Sequence, residues 1–425
     1  MHSGRRAFLG MAVAAGAVAF RPPALFAQNS DSAPPPPRDA GVPDIALPPP
    51  IQTAEYLQRI AKAQQLMRAA GLKGLLIEAG SSLVYFTGIQ WWRSERLTAA
   101  LIPAEGEPLI VTPQFEEPSI RESLKIPAQV RVWNEHESPS ALLADWLKSR
   151  GNAAGPVGVE ETVRFFVFDG LRALGVETRG DAGVVRACRI IKSPAEIALM
   201  QAASDITIAA YRDTGPQIAR GMTPADIGQI MSAAMAKRGA TPEFTLILLG
   251  EASAYPHGSG KPQEVRAGEI VLMDCGCRVE GYQADVSRTM VFGEPTKRQR
   301  TVWDLVRRGQ QIAFDTAQVG TPAGAVDDAV RAAYEKAGYG PGYELPGTSH
   351  RTGHGIGLDG HEPVNLVHGE TTRLAPGMCF SDEPGIYIPG SFGVRLEDCV
   401  QMTPSGPKWF SVPPSSLDEP FGRVA

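Results

Sequence analysis

The chain has 425 residues, 43% hydrophobic and 20% charged, with a formal net charge of -5. That balance belongs to a globular protein long enough for two domains and a large core. No basic run follows the first residues, which speaks against a nucleic-acid groove and favours a small-molecule or peptide substrate.

Arg5-Arg6 stand just ahead of the apolar run Ala7 to Phe20, and Pro22-Pro23-Ala24-Leu25-Phe26-Ala27 ends in a small residue suited to cleavage before Gln28. The run is too short to span a bilayer comfortably, and S-G-R-R-A-F-L-G looks like a twin-arginine export signal, with an ordinary secretory signal as the alternative. The expectation is a signal peptide over 1–27 and a mature protein that is periplasmic or secreted, with no stable membrane anchor. Residues 28–53, with Pro34-Pro35-Pro36-Pro37 and Pro48-Pro49-Pro50, read as an extended, poorly ordered linker.

From Ala54 to Gly71 the positions Leu57, Ile60, Ala63, Met67 and Ala70 recur at helical spacing, and Gly71 supplies a stop. Strand candidates follow at Gly74 to Ile77, Val84 to Thr87, Ala99 to Ile102, Leu109 to Thr112 and Val157 to Val159. Helices are expected near Ser140 to Lys148 and Arg164 to Leu174. This alternation predicts an α/β domain over 54–190. No catalytic set occurs in it. Its most unusual stretch, Trp91-Trp92-Arg93 after Tyr85-Phe86-Thr87-Gly88, reads as a core aromatic pair with a solvated charged rim or as a ligand-contacting loop.

A second domain, 191–425, opens where Ser193 can cap a helix, Pro194 takes its first position and Glu196 completes a capping box. Gly221-Met222-Thr223-Pro224 starts another helix, and Gly320-Thr321-Pro322-Ala323 repeats that start after a long helix from about Thr296 to Val319. The repeat suits a pseudo-twofold domain, although Thr-Pro is also a common helix start.

Between these helices, V-L-M-D-C-G-C-R-V-E-G-Y-Q-A-D-V-S-R-T (Val271 to Thr289) reads as a hairpin turning at Val279-Glu280-Gly281. The turn sets Asp274 opposite Asp285, or one place off if Gly281 makes a bulge, and opposed residues share a face with Cβ atoms about 4.5–5.5 Å apart. Two such carboxylates in a sheet interior need a proton or a cation between them. Ser381 to Asp398 repeats the design, with Glu383 and Glu397 symmetric about Gly390. His354 lies between the hairpins in H-R-T-G-H-G-I-G-L-D-G-H-E-P. Four carboxylates and an imidazole form an oxygen-rich set of the kind that holds manganese, cobalt or zinc. Gly353, Gly355 and Gly357 do not have the spacing of a nucleotide loop. Cys275 and Cys277 lack the C-x-x-C spacing of a metal site and read as small buried hydrophobes; with Cys188, Cys379 and Cys399 they make an odd number, so at least one thiol stays free.

Asp274, Asp285, His354, Glu383 and Glu397, within M-D-C-G, A-D-V-S-R-T, G-H-G-I-G-L, E-P-G-I-Y and V-R-L-E-D, resemble the dinuclear metallopeptidases of the methionine aminopeptidase, prolidase and aminopeptidase P family. The resemblance implies a creatinase-like α/β N-terminal domain followed by an α+β pita-bread catalytic domain. It also implies two divalent ions, Mn2+ first and Co2+ or Zn2+ otherwise, and a homodimer or higher homo-oligomer. Asp274 would bind one ion, His354 and Glu383 the other, and Asp285 and Glu397 would bridge them. Glu383 would also accept and pass on a proton. His257 and His361 match the family's active-site histidines and would steady the oxyanion and help the amine leave. His350 would contact substrate, and Arg395 would neutralise the carboxylates or hold substrate. Trp91, Trp92 and Arg93 would gate substrate size. His136 and His368 read as solvated.

The substrate implied is a small peptide cut at an Xaa-Pro bond, by an aminopeptidase or a dipeptidase. Prolidases often carry an arginine shortly after the counterpart of His361-Glu362-Pro363 to hold the product carboxylate, and Asn365 and Leu366 stand there instead, which favours the aminopeptidase. The alternatives are a creatinase-like or other pita-bread enzyme acting on a small non-peptide metabolite, and a non-catalytic binding module. The complete ligand set argues against the module and against a metal-free amidinohydrolase.

Overall fold

The computed structural model describes residues 45–150 and 155–424. The expected signal peptide and most of the linker lie outside them. The linker's end differs from expectation: Ile45 packs against the core and Ile51 is buried, because apolar side chains spaced among the prolines find a hydrophobic face.

The first part of the chain runs α1 (Thr53–Ala69), β1 (Gly74–Glu78), α2 (Ser81–Thr87), β2 (Ala99–Pro103), β3 (Leu109–Pro113), α3 (Glu117–Ser123), β4 (Gln129–Trp133), α4 (Pro139–Ser149), β5 (Val157–Val159), α5 (Phe165–Ala173), β6 (Thr178–Gly180) and α6 (Val184–Arg189). Its six strands form a mixed sheet in the order β4-β3-β2-β1-β5-β6. The central β1, β2 and β3 are buried along their whole length, which their continuous apolar runs require. Val84 to Thr87, expected as a strand, is the end of α2. Gly88 in the left-handed region closes the helix, and the Thr87 hydroxyl donates to the Leu83 carbonyl, so burial of Leu83, Tyr85 and Phe86 on a helix outweighs their β preference.

The second part runs α7 (Pro194–Thr214), α8 (Pro224–Ala236), β7 (Thr241–Leu249), β8 (Ile270–Val279), β9 (Tyr282–Gln283) and β10 (Val286–Val291). It continues with α9 (Lys297–Thr316), α10 (Ala323–Lys336), β11 (Gly353–Gly355), β12 (Glu362–Leu366), β13 (Cys379–Asp382), β14 (Gly385–Ile388), β15 (Phe392–Arg395), β16 (Asp398–Thr403) and β17 (Gly406–Trp409). Ser193 and Glu196 form the expected capping box, and Thr223 with Asp226 forms another. A long helix, a shorter one and a sheet occur twice: α7 and α8 with β10-β8-β7, then α9 and α10 with β12-β11-β13-β16-β17. One hydrophobic cluster joins α1, β1 and α2 to α7, α8 and β8, so the two parts share a core. Arg59 adds a polar tie, donating to the Tyr282 hydroxyl at 3.0 Å while Tyr282 donates to Glu196 at 2.9 Å. Among the described residues no helix is long and apolar enough to cross a membrane.

Candidate metal centre

The first hairpin turns on two residues, Glu280 and Gly281, both at positive φ, with Val279 paired to Tyr282. Asp274 therefore lies opposite Ser287, and Asp285 falls two places from the expected register, next to Val286, which pairs with Cys275. A shift of two preserves the face, so the carboxylates are diagonal neighbours on one surface. Gly276 is needed there: a Cβ would stand 2.1 Å from the Ala284 carbonyl. The second hairpin closes at Pro389-Gly390-Ser391, and its flanking pairs, Gly385 with Arg395 and Asp382 with Asp398, bracket Glu383 and Glu397 symmetrically as expected.

His354 lies on β11, its backbone N–H held by the Ser381 hydroxyl at 3.0 Å. Its Nδ1 is 3.1 Å from the Gly355 carbonyl and so carries the proton, which leaves the Nε2 lone pair toward the carboxylates, 3.2 Å from Glu383 and 3.8 Å from Asp285. Three overlapping groups have ligand atoms within 4.8 Å of one another: Asp274, Asp285 and Glu397; His354, Glu383 and Glu397; and Asp285, His354 and His361. Asp285, His354 and Glu397 each belong to two of them.

The donor set suits divalent cations. Asp274 Oδ1, Asp285 Oδ1 and Glu397 Oε1 are buried without a hydrogen-bond partner among the described residues, a costly state that a cation relieves. Burial first, and neighbouring carboxylates second, push Asp285 and Glu397 well above the usual carboxylate range. Glu383 is pushed up to about 7, by burial and by Asp274 against the pull of Arg395. Burial, then His361, holds His354 well below the ordinary histidine value, in the neutral form that ligates metals.

Arg395 organises the acidic side. It donates from Nη2 to Asp274 Oδ2 at 2.5 Å, from Nε to the Ser287 hydroxyl at 2.9 Å and from Nη1 to the Tyr387 hydroxyl and the Pro256 carbonyl, both at 3.1 Å. Ser287 in turn donates to Glu397 Oε2 at 2.8 Å. With 2% exposure and every nitrogen engaged, Arg395 neutralises the cluster and is not open to substrate, which corrects the second half of its expected role. His350 also differs from expectation. Its Nδ1 donates to the Arg351 carbonyl and its Nε2 accepts from Tyr387, both at 2.7 Å, so neither nitrogen is free for substrate; burial, then Arg395, lowers it to about 3.

His361 is exposed, its ring centroid 4.1 Å from that of His354. His257 is exposed too, on the loop that Arg395 holds through Pro256, and it lines a groove of about 710 Å3 with Leu246 and Gly258. Both therefore face solvent at the rim. Trp91 and Trp92 stack at 4.5 Å, with Trp92 exposed and Trp91 packed against the core, while Arg93 is tied to the Ala79 carbonyl and the Thr162 hydroxyl. His368 is exposed beside Asp328, and His136 is exposed. All five cysteines are free and buried.

Ser287, Tyr387 and Ser381 escaped sequence reasoning. Ser287 and Ser381 carried a signal, two residues beyond Asp285 and two before Glu383 respectively, the spacing that keeps residues of an extended chain on one face.

A two-domain fold with a buried, partly unpartnered carboxylate and histidine cluster defines a metal-dependent hydrolase class. Residues 198–404 match the metallopeptidase family M24 and residues 59–191 the Creatinase/Prolidase N-terminal domain. The chain is 33% identical over 356 residues to a probable dipeptidase PepE of Mycobacterium tuberculosis, covering 83% of this chain and 93% of that protein. It is 32% identical over 357 residues to an Xaa-Pro dipeptidase of Lactobacillus helveticus, covering 82% and 95%. The crystal structure of dipeptidase PepE from Mycobacterium ulcerans superposes with a TM-score of 0.79 at 32% identity, over 87% of this chain and 99% of that one. The chain belongs to metallopeptidase family M24.

Proposed function

We propose that this protein hydrolyses small peptides at an Xaa-Pro bond, using two divalent ions held by Asp274, Asp285, His354, Glu383 and Glu397, with manganese the first candidate. The observation that carries the proposal is the convergence of these side chains around three buried carboxylate oxygens that no other group among the described residues satisfies. The proline preference rests on relatives named Xaa-Pro dipeptidase. When bound, such ions polarise the scissile carbonyl and let water attack near neutral pH. The chain's own residues do the rest. Arg395 and Ser287 hold Asp274 and Glu397 in place, each with one oxygen left free. Glu383 takes the proton of the attacking water and passes it to the departing proline nitrogen, while His361 and His257, at the rim, donate hydrogen bonds to the developing oxyanion and the leaving group. The Arg5-Arg6 leader supports export to the periplasm or beyond.

The test is a screen of Xaa-Pro dipeptides, longer Xaa-Pro peptides and small non-peptide metabolites with manganese, cobalt or zinc added. Cleavage confined to Xaa-Pro bonds, and lost together with metal in Glu383→Ala, is the expected result. Turnover by metal-stripped protein, or activity on metabolites alone, overturns the proposal.

A further inference from the structure

Arg288 is 1% exposed, and its side chain bonds to none of the carboxylates of the metal centre. Adjacent residues of an extended strand face opposite ways, so Arg288, next to Ser287, and Asp398, next to Glu397, stand behind the surface that carries the ligands. The two hairpins meet there. The Ser287 N–H donates to the Glu397 carbonyl at 3.3 Å, and the Glu397 N–H donates to the Ser287 carbonyl at 3.1 Å. Arg288 Nη1 donates to these same two carbonyls, at 3.0 Å to Ser287 and 2.7 Å to Glu397. The guanidinium also grips Asp398, from Nη2 at 2.6 Å and from Nη1 at 3.2 Å. One residue on, Cys399 Sγ donates to the Asp285 carbonyl at 3.3 Å. The backbones of Asp285 and Glu397, the carboxylates expected to bridge the ions, are thus tied across one seam, and Arg288 covers it.

The C-terminal segment holds this pair from both of its ends. Ser411 donates to Asp398 Oδ1, and the Phe421 carbonyl accepts from Arg288 Nε at 3.2 Å. Ser411–Val412 pairs with Arg423–Val424, which closes the segment into a loop. Gly422 permits the close approach, since it sits at positive φ and a Cβ there would stand 2.3 Å from the Val412 carbonyl. The Phe421 ring stacks on Tyr211 at 6.2 Å. The Tyr211 hydroxyl lies 2.9 Å from the Met273 carbonyl and 2.7 Å from the Val286 carbonyl, of the residues just before Asp274 and just after Asp285. The segment therefore touches two supports of the metal hairpins, Arg288 and Tyr211. It lies beyond residues 198–404, which match family M24. At the surface it has a different tie, Arg300 to Asp418 at 2.7 Å, with both side chains exposed.

Building on the two-ion function proposed above, we infer that the C-terminal segment is part of the metal centre's support: by clamping Arg288 and Asp398 it fixes the separation of Asp285 and Glu397, and so sets whether the site holds two ions or one. A single ion can follow carboxylates that have drifted apart, whereas two ions sharing them need both at a set distance. Arginine suits the task because its planar fork reaches two carbonyls and a carboxylate in one fixed geometry, which a lysine ammonium cannot do. Arg288 is a positioning residue, acting through the backbones of Ser287 and Glu397.

The test titrates metal-free protein with Mn2+, counts bound ions by mass spectrometry, and uses electron paramagnetic resonance to tell a spin-coupled pair from an isolated ion. The wild type should bind two ions and show the coupled pair. A chain ending at Pro420, and Arg288→Met in the full chain, should bind the second ion about 10- to 100-fold more weakly, with the isolated-ion spectrum at concentrations that fill the wild type. Arg288→Lys should recover part of the loss. Asp418→Ala, which releases the same segment only at the surface, should match the wild type. Wild-type affinity for both ions in the shortened chain would overturn the inference, and so would equal weakening of both ions or a second ion weakened as much by Asp418→Ala. A shortened chain that no longer folds, by circular dichroism, would also overturn it, because the segment would then support the fold at large. If Arg288→Met does not fold, the shortened chain decides alone. A wild type that binds fewer than two ions would instead sink the functional reading on which the inference rests.

Discussion

Two groups of buried charge flank the segment from His354 to Glu362, and they handle the same electrostatic problem in opposite ways. On one side Glu362 is enclosed by Lys192 at 3.0 Å and Arg189 at 2.5 Å, with the Asp359 N–H donating to the same carboxylate at 3.1 Å. Burial alone would raise Glu362, but the Lys192 and Arg189 charges hold it down to about 2. Gly357 makes room for this, since a Cβ there would stand 2.8 Å from Glu362 Oε1 and 2.9 Å from Lys192 Cε. On the other side Asp274, Asp285, Glu383 and Glu397 share one arginine, Asp274, Asp285 and Glu397 each keep an oxygen without a partner among the described residues, and burial with the neighbouring carboxylates pushes Asp285 and Glu397 up. A protein that gives one buried carboxylate two counter-ions and gives four others a single arginine between them has set the four aside for a cation from outside.

The contrast breaks most visibly at Asp285. With Asp285→Ala, Xaa-Pro hydrolysis should fall by more than the roughly 100-fold that loss of an outer hydrogen-bond partner costs a metal site, and bound metal measured by mass spectrometry should fall with it. The metal-free variant should melt no lower than metal-free wild type, because a mutually repelling charge is gone. A clear drop in melting temperature would place Asp285 in the same structural class as Glu362.

Lys192→Met should do the reverse, lowering stability by about 3–5 kcal/mol in urea unfolding, because it strips a buried carboxylate of a counter-ion. Adding Glu362→Leu should return much of the loss. An unchanged midpoint would remove the contrast between the two groups.

Acid sharpens the same point. Glu362 has a folded value depressed from 4.5 to about 2, so its contribution is present above pH 4.5 and is lost as pH falls from there toward 2. The loss is at most about 3 kcal/mol, and Glu362→Gln should flatten that part of the stability profile. The smallest effect is expected at Ser287, where alanine should weaken metal binding about 10- to 100-fold by releasing Glu397 Oε2 and Arg395 Nε, while Ser287→Thr keeps the hydroxyl and most of the affinity. Unaltered metal affinity in Ser287→Ala would mean that Arg395 orders the site unaided.

Much of the catalytic half was legible because its signals are local. Ser193-Pro194 with Glu196 specifies a helix start through side-chain caps, and Pro389-Gly390 places a tip midway between Glu383 and Glu397. The first hairpin was legible in face but not in register. Whether Glu280 joins Gly281 at positive φ is settled by how closely β8 and β9 approach, and that moved Asp285 by two places without turning it out of the site.

Val84 to Thr87 was illegible for a different reason. Its β-prone residues are helical because Leu83, Tyr85 and Phe86 are buried in a core shared with α7 and β8, which lie more than a hundred residues further along the chain.

The amino-acid order by itself determined which groups bear the chemistry, since carboxylates, a histidine and turn residues declare hard-metal ligation and hairpins through their own valence and backbone preferences. Only the folded arrangement decided which charges neutralise one another. It turned Arg395 inward to Asp274 and Ser287, closed His350 onto Tyr387, paired Glu362 with Lys192 and brought Arg351 to Asn365. Electrostatic partnership depends on distances of a few ångströms between segments far apart in the chain, and those distances exist only after the strands have packed.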